Sequence, residues 1–355
     1  MTPAHAHERA GSDARGARSS CVIIDNDLDI DDLMAIPLVV GNARVVAIVQ
    51  SEGYSLPGQA APVVDRLVNH GPGRRAGHHV PVIVGGSQAQ SPDLSRWPWL
   101  PFFRAMMSRG NGLLTSPPTP WPADSQYPQK VADAVRGCRS VSVLVIGTYT
   151  SFINYLPLIK NRVDRVVVMG QMIGDMSRTP GRESFNCVFD FEACQTAMPV
   201  LDGVNTSFVD IPRFDDCHDT ATPAARCYNP NLQMVMGLSK RGLPGRLRKA
   251  LLNPISCSQL YTAPAAQGHP CSSRSTWEPV AVTTGVGGEM LLWDQTAALF
   301  LLRPQDFSLY FPPDDPGSGG KHYEPTLVDG SDEKTVQKLR AMWTSLTNVA
   351  ARRTF

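Results

Sequence analysis

Five carboxylates, Asp25, Asp27, Asp29, Asp31 and Asp32, fall within eight residues of the stretch "CVIIDNDLDIDDLMAI". Like charges packed so closely repel, and they follow directly on a run of apolar residues that favours burial. A divalent cation, a phosphate-handling site or plain solvation could each offset the repulsion. An EF-hand is excluded by position. That loop needs Gly at its sixth place and Glu at its twelfth. Counting from Asp25 finds Ile30 and Ile36, and counting from Asp27 finds Asp32 and Leu38. The pair Asp25 and Asp27 also occurs at the spacing of haloacid-dehalogenase-like phosphatases. Those carry Thr or Val two residues after the second Asp, where this chain has Asp29. Taken alone, Asp25, Asp29 and Asp31 are equally readable as helix caps or solvated loop residues.

The elements that must position these acids alternate. "SSCVIID" reads as a buried parallel strand, and the helical "DDLMAIPLVVGN" follows, started by Asp31 or Asp32. Strands "ARVVAIVQ", "VPVIVGG", "SVSVLVIG", "VDRVVVMG" and "TSFVDI" alternate with helices "GQAAPVVDRLVNHG", "YPQKVADAVRGC", "TSFINYLPLIKNR" and "FDFEACQTAMPV". This pattern predicts an α/β fold, an open and mostly parallel sheet flanked by helices, with ligands bound at the C-terminal ends of the strands. The acid cluster, "IGTYTS" and "MGQMIGD" all sit at such ends. Residues 1–20 read as a disordered leader and 21–355 as one α/β domain. Within it, 86–125 is expected to be a long loop or insertion, and 212–287 a loosely patterned, partly helical part. "SKRGLPGRLRKALL" carries five cations and no acid; it reads as a solvated helix face, or as a place for a phosphate. "EMLLWDQTAALFLLRP" and "DEKTVQKLRAMWTSLTNVAARR" read as helices, the second with acids first and bases last, as the helix dipole favours.

Composition narrows the partners. The 355 residues are 42% hydrophobic with a net charge of +1, so nothing points to a nucleic acid polymer or a membrane surface. No apolar run approaches the roughly 18 residues of a membrane span, and the leader lacks the apolar core of a secretory signal. The eight cysteines show no CxxC spacing, which argues against a zinc ribbon. Several lie in apolar contexts that suit buried free thiols, in a protein expected to be made in a reducing cytoplasm.

The pattern D-x-D-x-x-x-D-D after a strand, here Asp25, Asp27, Asp31 and Asp32, resembles the signature of the nucleoside hydrolase family. Other segments are similar to it in order: "VVAIVQSEGY", "VPVIVGGSQ", "SVSVLVIGTYTSFINYL", "RVVVMGQ", "ESFNCVFDFEA" and "LLWDQTAALFLLRPQDF". Together they cover residues 21 to 311. The resemblance implies a calcium-dependent ribonucleoside N-glycosidase. It implies Asp27 as calcium ligand and general base, Asp32, Asp294 and the backbone carbonyl of Thr150 as further ligands, Asp31 and Asn186 on the ribose, and Asp25 as structural support. Substrate contacts are further implied for Glu183, Tyr54, Trp293 and Arg178.

The chain also departs from the family. Leu28-Asp29 replaces the usual Pro-Gly, Tyr54 stands where an Asn is expected, and Glu183 is one residue out of register with Asn186. Trp293 stands where many members have a His that helps the base depart; an indole can stack on a purine but cannot protonate it. The divergent segments resemble the XopQ-like branch, the type III effectors of plant-pathogenic bacteria. That resemblance implies synthesis in the bacterial cytoplasm, secretion into a plant cell, host protein partners and suppression of immunity. The altered residues themselves suggest a phosphorylated, ADP-ribose-like ligand, with Arg178, Arg182 or the basic 240–249 segment on its phosphates. A catalytically weak binding module is the alternative function. The oligomeric state is left open.

Overall fold

The computed structural model describes residues 20–70, 79–88, 97, 100–170, 184–209, 232–252, 293–310 and 321–352. Strand β1 (Cys21–Asn26) is followed by α1 (Ile30–Asn42), β2 (Val45–Gln50), α2 (Pro57–Asn69) and β3 (Val82–Val84). Then come α3 (Leu100–Met107), α4 (Tyr127–Ala134), β4 (Val141–Val145), α5 (Phe152–Ile159) and β5 (Val163–Met169). The chain continues with α6 (Phe185–Phe189), α7 (Phe191–Leu201), β6 (Thr206–Val209), α8 (Leu232–Met236) and α9 (Gly242–Leu252). It closes with α10 (Trp293–Leu302), β7 (Phe307–Tyr310), β8 (Lys321–Pro325) and α11 (Asp332–Val349).

The strands form one eight-stranded sheet in the order β3-β2-β1-β4-β5-β6-β8-β7. Every neighbouring pair is parallel except β7 with β8. All six residues of β1 are buried, as expected for a strand covered on both faces. Helices α1, α2, α9, α10 and α11 pack on one face, around Leu33, Val63, Leu247, Ala298 and Trp343. Helices α4, α5 and α7 pack on the other, around Val131, Phe152 and Ala197. The fully buried Trp343 donates its Nε1 proton to the Met34 carbonyl at 3.3 Å, tying the last helix to α1.

From β1 the chain runs outward to β2 and β3, then returns to place β4 on the other side of β1. The crevice at such a reversal, beyond the C-terminal strand ends, is where open sheets of this kind bind ligands. Asp25 lies opposite Val49 of β2 and Val145 of β4. The acid stretch therefore leaves the sheet at that reversal.

Three expectations are corrected. Helix α3 forms within the segment read as a loop; the flanking Pro and Trp residues hid its periodicity. Helix α1 is capped by Asp29, ahead of Asp31 and Asp32. The four cysteines among the described residues are not free thiols: Cys21 pairs with Cys138 and Cys187 with Cys194, with Cα atoms 5.9 and 5.1 Å apart, inside the range a disulfide spans. A partner 117 residues away leaves no local trace in sequence. Cys217, Cys227, Cys257 and Cys271 lie outside the described residues. Among the described residues, no helix is long and apolar enough to cross a membrane.

Candidate active site and metal centre

The acid stretch turns sharply after β1. Leu28 is fully buried with a φ of 54°, a left-handed conformation that a branched side chain adopts only under strain. Proline, whose ring holds φ near −65°, cannot occupy this backbone. The Leu28 carbonyl accepts the Ser55 hydroxyl at 3.0 Å, which helps hold the turn. Asp29 then starts α1. Its carboxylate accepts the Ile30 N–H at 2.6 Å, while Asp32 reaches back to accept the Asp29 N–H at 2.7 Å. This is a capping box made with an acid at the third helical position. Asp29 is thus a cap, and the cap turns Asp31 and Asp32 toward α10.

There the carboxylates meet. Oxygens of Asp31, Asp32 and Asp294 lie within 4.8 Å of one another, and the Asp294 N–H donates to Asp31 at 3.5 Å. Asp27 stands beside this group with one oxygen, Oδ2, accepting the Tyr54 N–H at 2.9 Å. Two glycines make room for it. A Cβ on Gly53 would stand 1.9 Å from Asp27 Oδ2, and one on Gly147 would stand 2.7 Å from the Asp27 nitrogen. Asp25 points the other way, accepting the Ser51 hydroxyl at 2.6 Å. Ser51 and Ser151 are 2.7 Å apart, and Ser151 accepts the Gly86 N–H at 2.8 Å. Asp25 thus joins the loops after β2, β3 and β4 as a supporting residue.

Burial dominates the electrostatics. It raises the Asp25 carboxyl to about 7, against the pull of hydrogen bonds from Ser51 and Tyr155. It raises Asp31 to about 7 as well, reinforced by the charge of Asp27. Burial pushes up Asp27, and it pushes Asp32 and Asp294 well above the carboxylate range, helped for Asp32 by the charge of Asp294 and for Asp294 by that of Asp31. Positive charge from Arg104 acts on Asp27 in the opposite sense. Among the described residues, Asp32 Oδ1 and Asp294 Oδ1 are buried without a hydrogen-bond partner. Crowded, buried, unpartnered carboxylate oxygens of this kind must protonate or hold a cation. An all-oxygen donor set suits a hard divalent ion such as calcium, so the residues present fit the group.

The remaining expected residues fare differently. The Thr150 carbonyl accepts the Asn154 amide at 2.9 Å, which leaves it one lone pair, and its hydroxyl donates to Asp190. Asn186 is buried and donates to the Ile146 carbonyl at 2.8 Å, bracing the end of β4. The half-buried Tyr54 packs its ring 4.4 Å from Phe185 and 5.8 Å from Phe103. Its hydroxyl is pushed well above its ordinary value by burial and by the carboxylates of Asp29, Asp31, Asp27 and Asp294, so it borders the cluster. Trp293 opens α10 beside Asp294, half-buried, with Nε1 buried and without a hydrogen-bond partner among the described residues. Glu183, Arg178 and Arg182 lie outside the described residues. In the basic segment, Arg246 donates to the Leu67 carbonyl and Arg248 to that of Met236, each at 2.6 Å. Each thereby reaches a carbonyl near a helix C-terminal end. Sequence reasoning missed Ser51, Ser151, Glu52 and Arg104; Ser51 and Glu52 had a local signal as polar residues at a strand end in "QSEGY", and Ser151 and Arg104 had none.

The described fold is shared with solved structures of low sequence identity. An inosine-uridine preferring nucleoside hydrolase from Bacillus anthracis superposes with a TM-score of 0.50 at 14% identity, covering 91% of this chain and 99% of that one. An inosine-guanosine nucleoside hydrolase gives 0.53 at 15% identity, covering 92% and 98%. The type III effector protein XopQ, complexed with adenosine diphosphate ribose, gives 0.54 at 14% identity, covering 94% and 93%. No curated protein matches the chain. The family model of the inosine-uridine preferring nucleoside hydrolases matches residues 22–309, a span that includes Asp27, Asp31, Asp32 and Asp294. The chain belongs to the inosine-uridine preferring nucleoside hydrolase family.

Proposed function

We propose that this protein hydrolyses the N-glycosidic bond of a ribonucleoside-type substrate with the help of calcium. The observation that carries the reading is the oxygen group of half-buried Asp31 with buried Asp32 and Asp294, beside Asp27, in a chain of this family. Asp32, Asp294 and Asp27 would hold the ion with the Thr150 carbonyl. When bound, calcium supplies positive charge that keeps the carboxylates ionised and makes a neighbouring water more acidic. Asp27, braced by the Tyr54 N–H, accepts the proton of the attacking water. Asp31 accepts hydrogen bonds from the ribose hydroxyls. As the bond to the base breaks, positive charge develops on the sugar, as in O-glycoside hydrolysis, and the surrounding carboxylates stabilise it. Trp293 offers a stacking face and no titratable proton. Chromatography of a nucleoside panel tests the reading: free base and ribose appear with the native chain and are abolished by Asp27→Ala. Intact substrates throughout contradict it.

A second reading is a binding module for a ribose carrying phosphates, such as ADP-ribose. It is supported by Tyr54 and Trp293, which alter the base-side groups while the carboxylates are kept. The phosphates would be met by Arg178, Arg182 or the basic 240–249 segment. Titration calorimetry of Asp27→Ala with ADP-ribose and with inosine decides; equal affinities contradict this reading. The role of a bacterial effector acting on host proteins in a plant cell draws its support from the sequence resemblance. It predicts that residues 1–20 direct a fused reporter into plant cells through a type III system, and retention of the reporter in the bacterium contradicts it.

A further inference from the structure

Arg104 of α3 makes contacts that the hydrolytic reading leaves unused. Its Nη2 lies 3.0 Å from Glu52 Oε1, with the two side chains 16% and 7% exposed. The same guanidinium donates to the Gly53 carbonyl from Nη2 at 3.0 Å and from Nε at 3.3 Å, and its Cζ sits 5.9 Å from the centre of the Phe189 ring. Glu52 is itself a junction. Its second oxygen accepts the Gln88 N–H at 3.1 Å, its own N–H donates to the Gly86 carbonyl at 3.1 Å, and its carbonyl accepts the Thr148 hydroxyl at 2.6 Å. The loops after β2, β3 and β4 therefore meet at one residue, whose buried charge needs a partner.

What this loop carries is the support of Asp27. Gly53 lies against the Asp27 carboxylate so closely that a Cβ would not fit, and the next N–H, of Tyr54, donates to the same oxygen. Arg104 grips the Gly53 carbonyl, the atom group between those two contacts. We propose that Arg104 is a positioning residue of the site, whose planar fork holds the Gly53–Tyr54 peptide where the Tyr54 N–H can orient Asp27. The proposal rests on the role given to Asp27 above. Lysine is a poor substitute, because a point charge lacks the fork that serves a carboxylate and a carbonyl together.

The test uses the full chain with Arg104→Met and Arg104→Lys. Amide hydrogen exchange is read over residues 51–56, and calcium affinity by titration calorimetry. Arg104→Met is expected to speed exchange at 51–56 by about tenfold or more, the scale of losing charge-assisted bonds, with strands β1 and β4 unchanged. Calcium affinity is expected to fall by a similar factor, and Arg104→Lys to lie between. Unchanged exchange at 51–56 overturns the proposal. Faster exchange with unchanged calcium affinity also overturns it, leaving Arg104 a local tether. A native chain that binds no calcium contradicts the hydrolytic reading instead, and the exchange result then decides the Arg104 clamp alone. If the Met variant does not fold, the Lys variant is judged by the same two readouts.

Discussion

Asp29 and Asp32 exchange hydrogen bonds at the start of α1: Asp29 receives the Ile30 N–H, and Asp32 receives the Asp29 N–H. One oxygen of Asp32 is thereby spent on capping, while Oδ1 is buried without a partner among the described residues. The cap fixes the helix whose first turn carries two of the three grouped carboxylates, so local helix chemistry and the candidate metal centre share a residue.

This sharing gives an asymmetric expectation for Asp32→Asn and Asp294→Asn. In chelator, Asp294→Asn replaces a carboxyl that burial and its neighbours keep from ionising, and is expected to leave thermal stability close to that of the native chain. Asp32→Asn also weakens the cap, an effect of about 1 kcal/mol. With calcium at about a hundred times its dissociation constant, the native chain should gain about 2.7 kcal/mol, and both variants should lose most of that gain. Scanning calorimetry with and without calcium checks this; an equal calcium response in all three proteins contradicts it.

The carboxyls of Asp25 and Asp31, held at about 7 in the fold against an ordinary 3.8, make the metal-free protein sensitive to pH. Between these values the folded chain binds more protons than the unfolded one. Its stability therefore falls as pH rises from about 4 through 7 and levels off above. Urea midpoints in chelator should be higher at pH 5 than at pH 8, and Asp31→Asn should flatten the difference. A native midpoint that climbs from pH 5 to 8 contradicts the assignment.

Leu28→Pro, the residue that the family resemblance leads one to expect here, is expected to destabilise. Its φ of 54° is closed to proline, and the mismatch is expected to cost about 3 kcal/mol or more, by analogy with proline forced into a helix. Chemical denaturation measures the change; a variant as stable as the native chain would mean the turn can adopt the family's backbone.

The absence of a proton donor at Trp293 makes the leaving group decisive. Positioned acid catalysis contributes about a hundredfold to ten-thousandfold. A riboside with an activated leaving group, such as p-nitrophenyl riboside, should turn over at least about a hundredfold faster than inosine. Comparable kcat values would show that another group protonates the base.

Much of the site was legible before the structure. The apolar run at Cys21–Ile24 marks a buried strand because parallel strands covered on both faces leave little room for polar residues. The strand–helix alternation then places Asp25 and Asp27 at a C-terminal strand end. Asp294, far away in sequence, was reachable only through the family pattern, since no local rule brings α10 to α1. The unread parts depend on tertiary contact. Asp29 was readable as a cap or as a solvated loop residue, and only the position of the first helical residue decides between them. Arg104 sat in a stretch whose Pro and Trp content masks a short helix, and its partner Glu52 lies 52 residues away. The positive φ at Leu28 contradicts its own residue preference, the mark of a turn that its surroundings enforce.

The central claim is that the buried carboxylates work by holding a cation during N-glycoside hydrolysis. Its most direct test titrates chelator-treated protein with calcium while following bound ion and released ribose together. The account predicts one ion per chain, negligible ribose release without it, and a rate that rises in proportion to the ion bound. Ribose release at full rate in chelator, or full calcium occupancy with no release from any ribonucleoside, would contradict it.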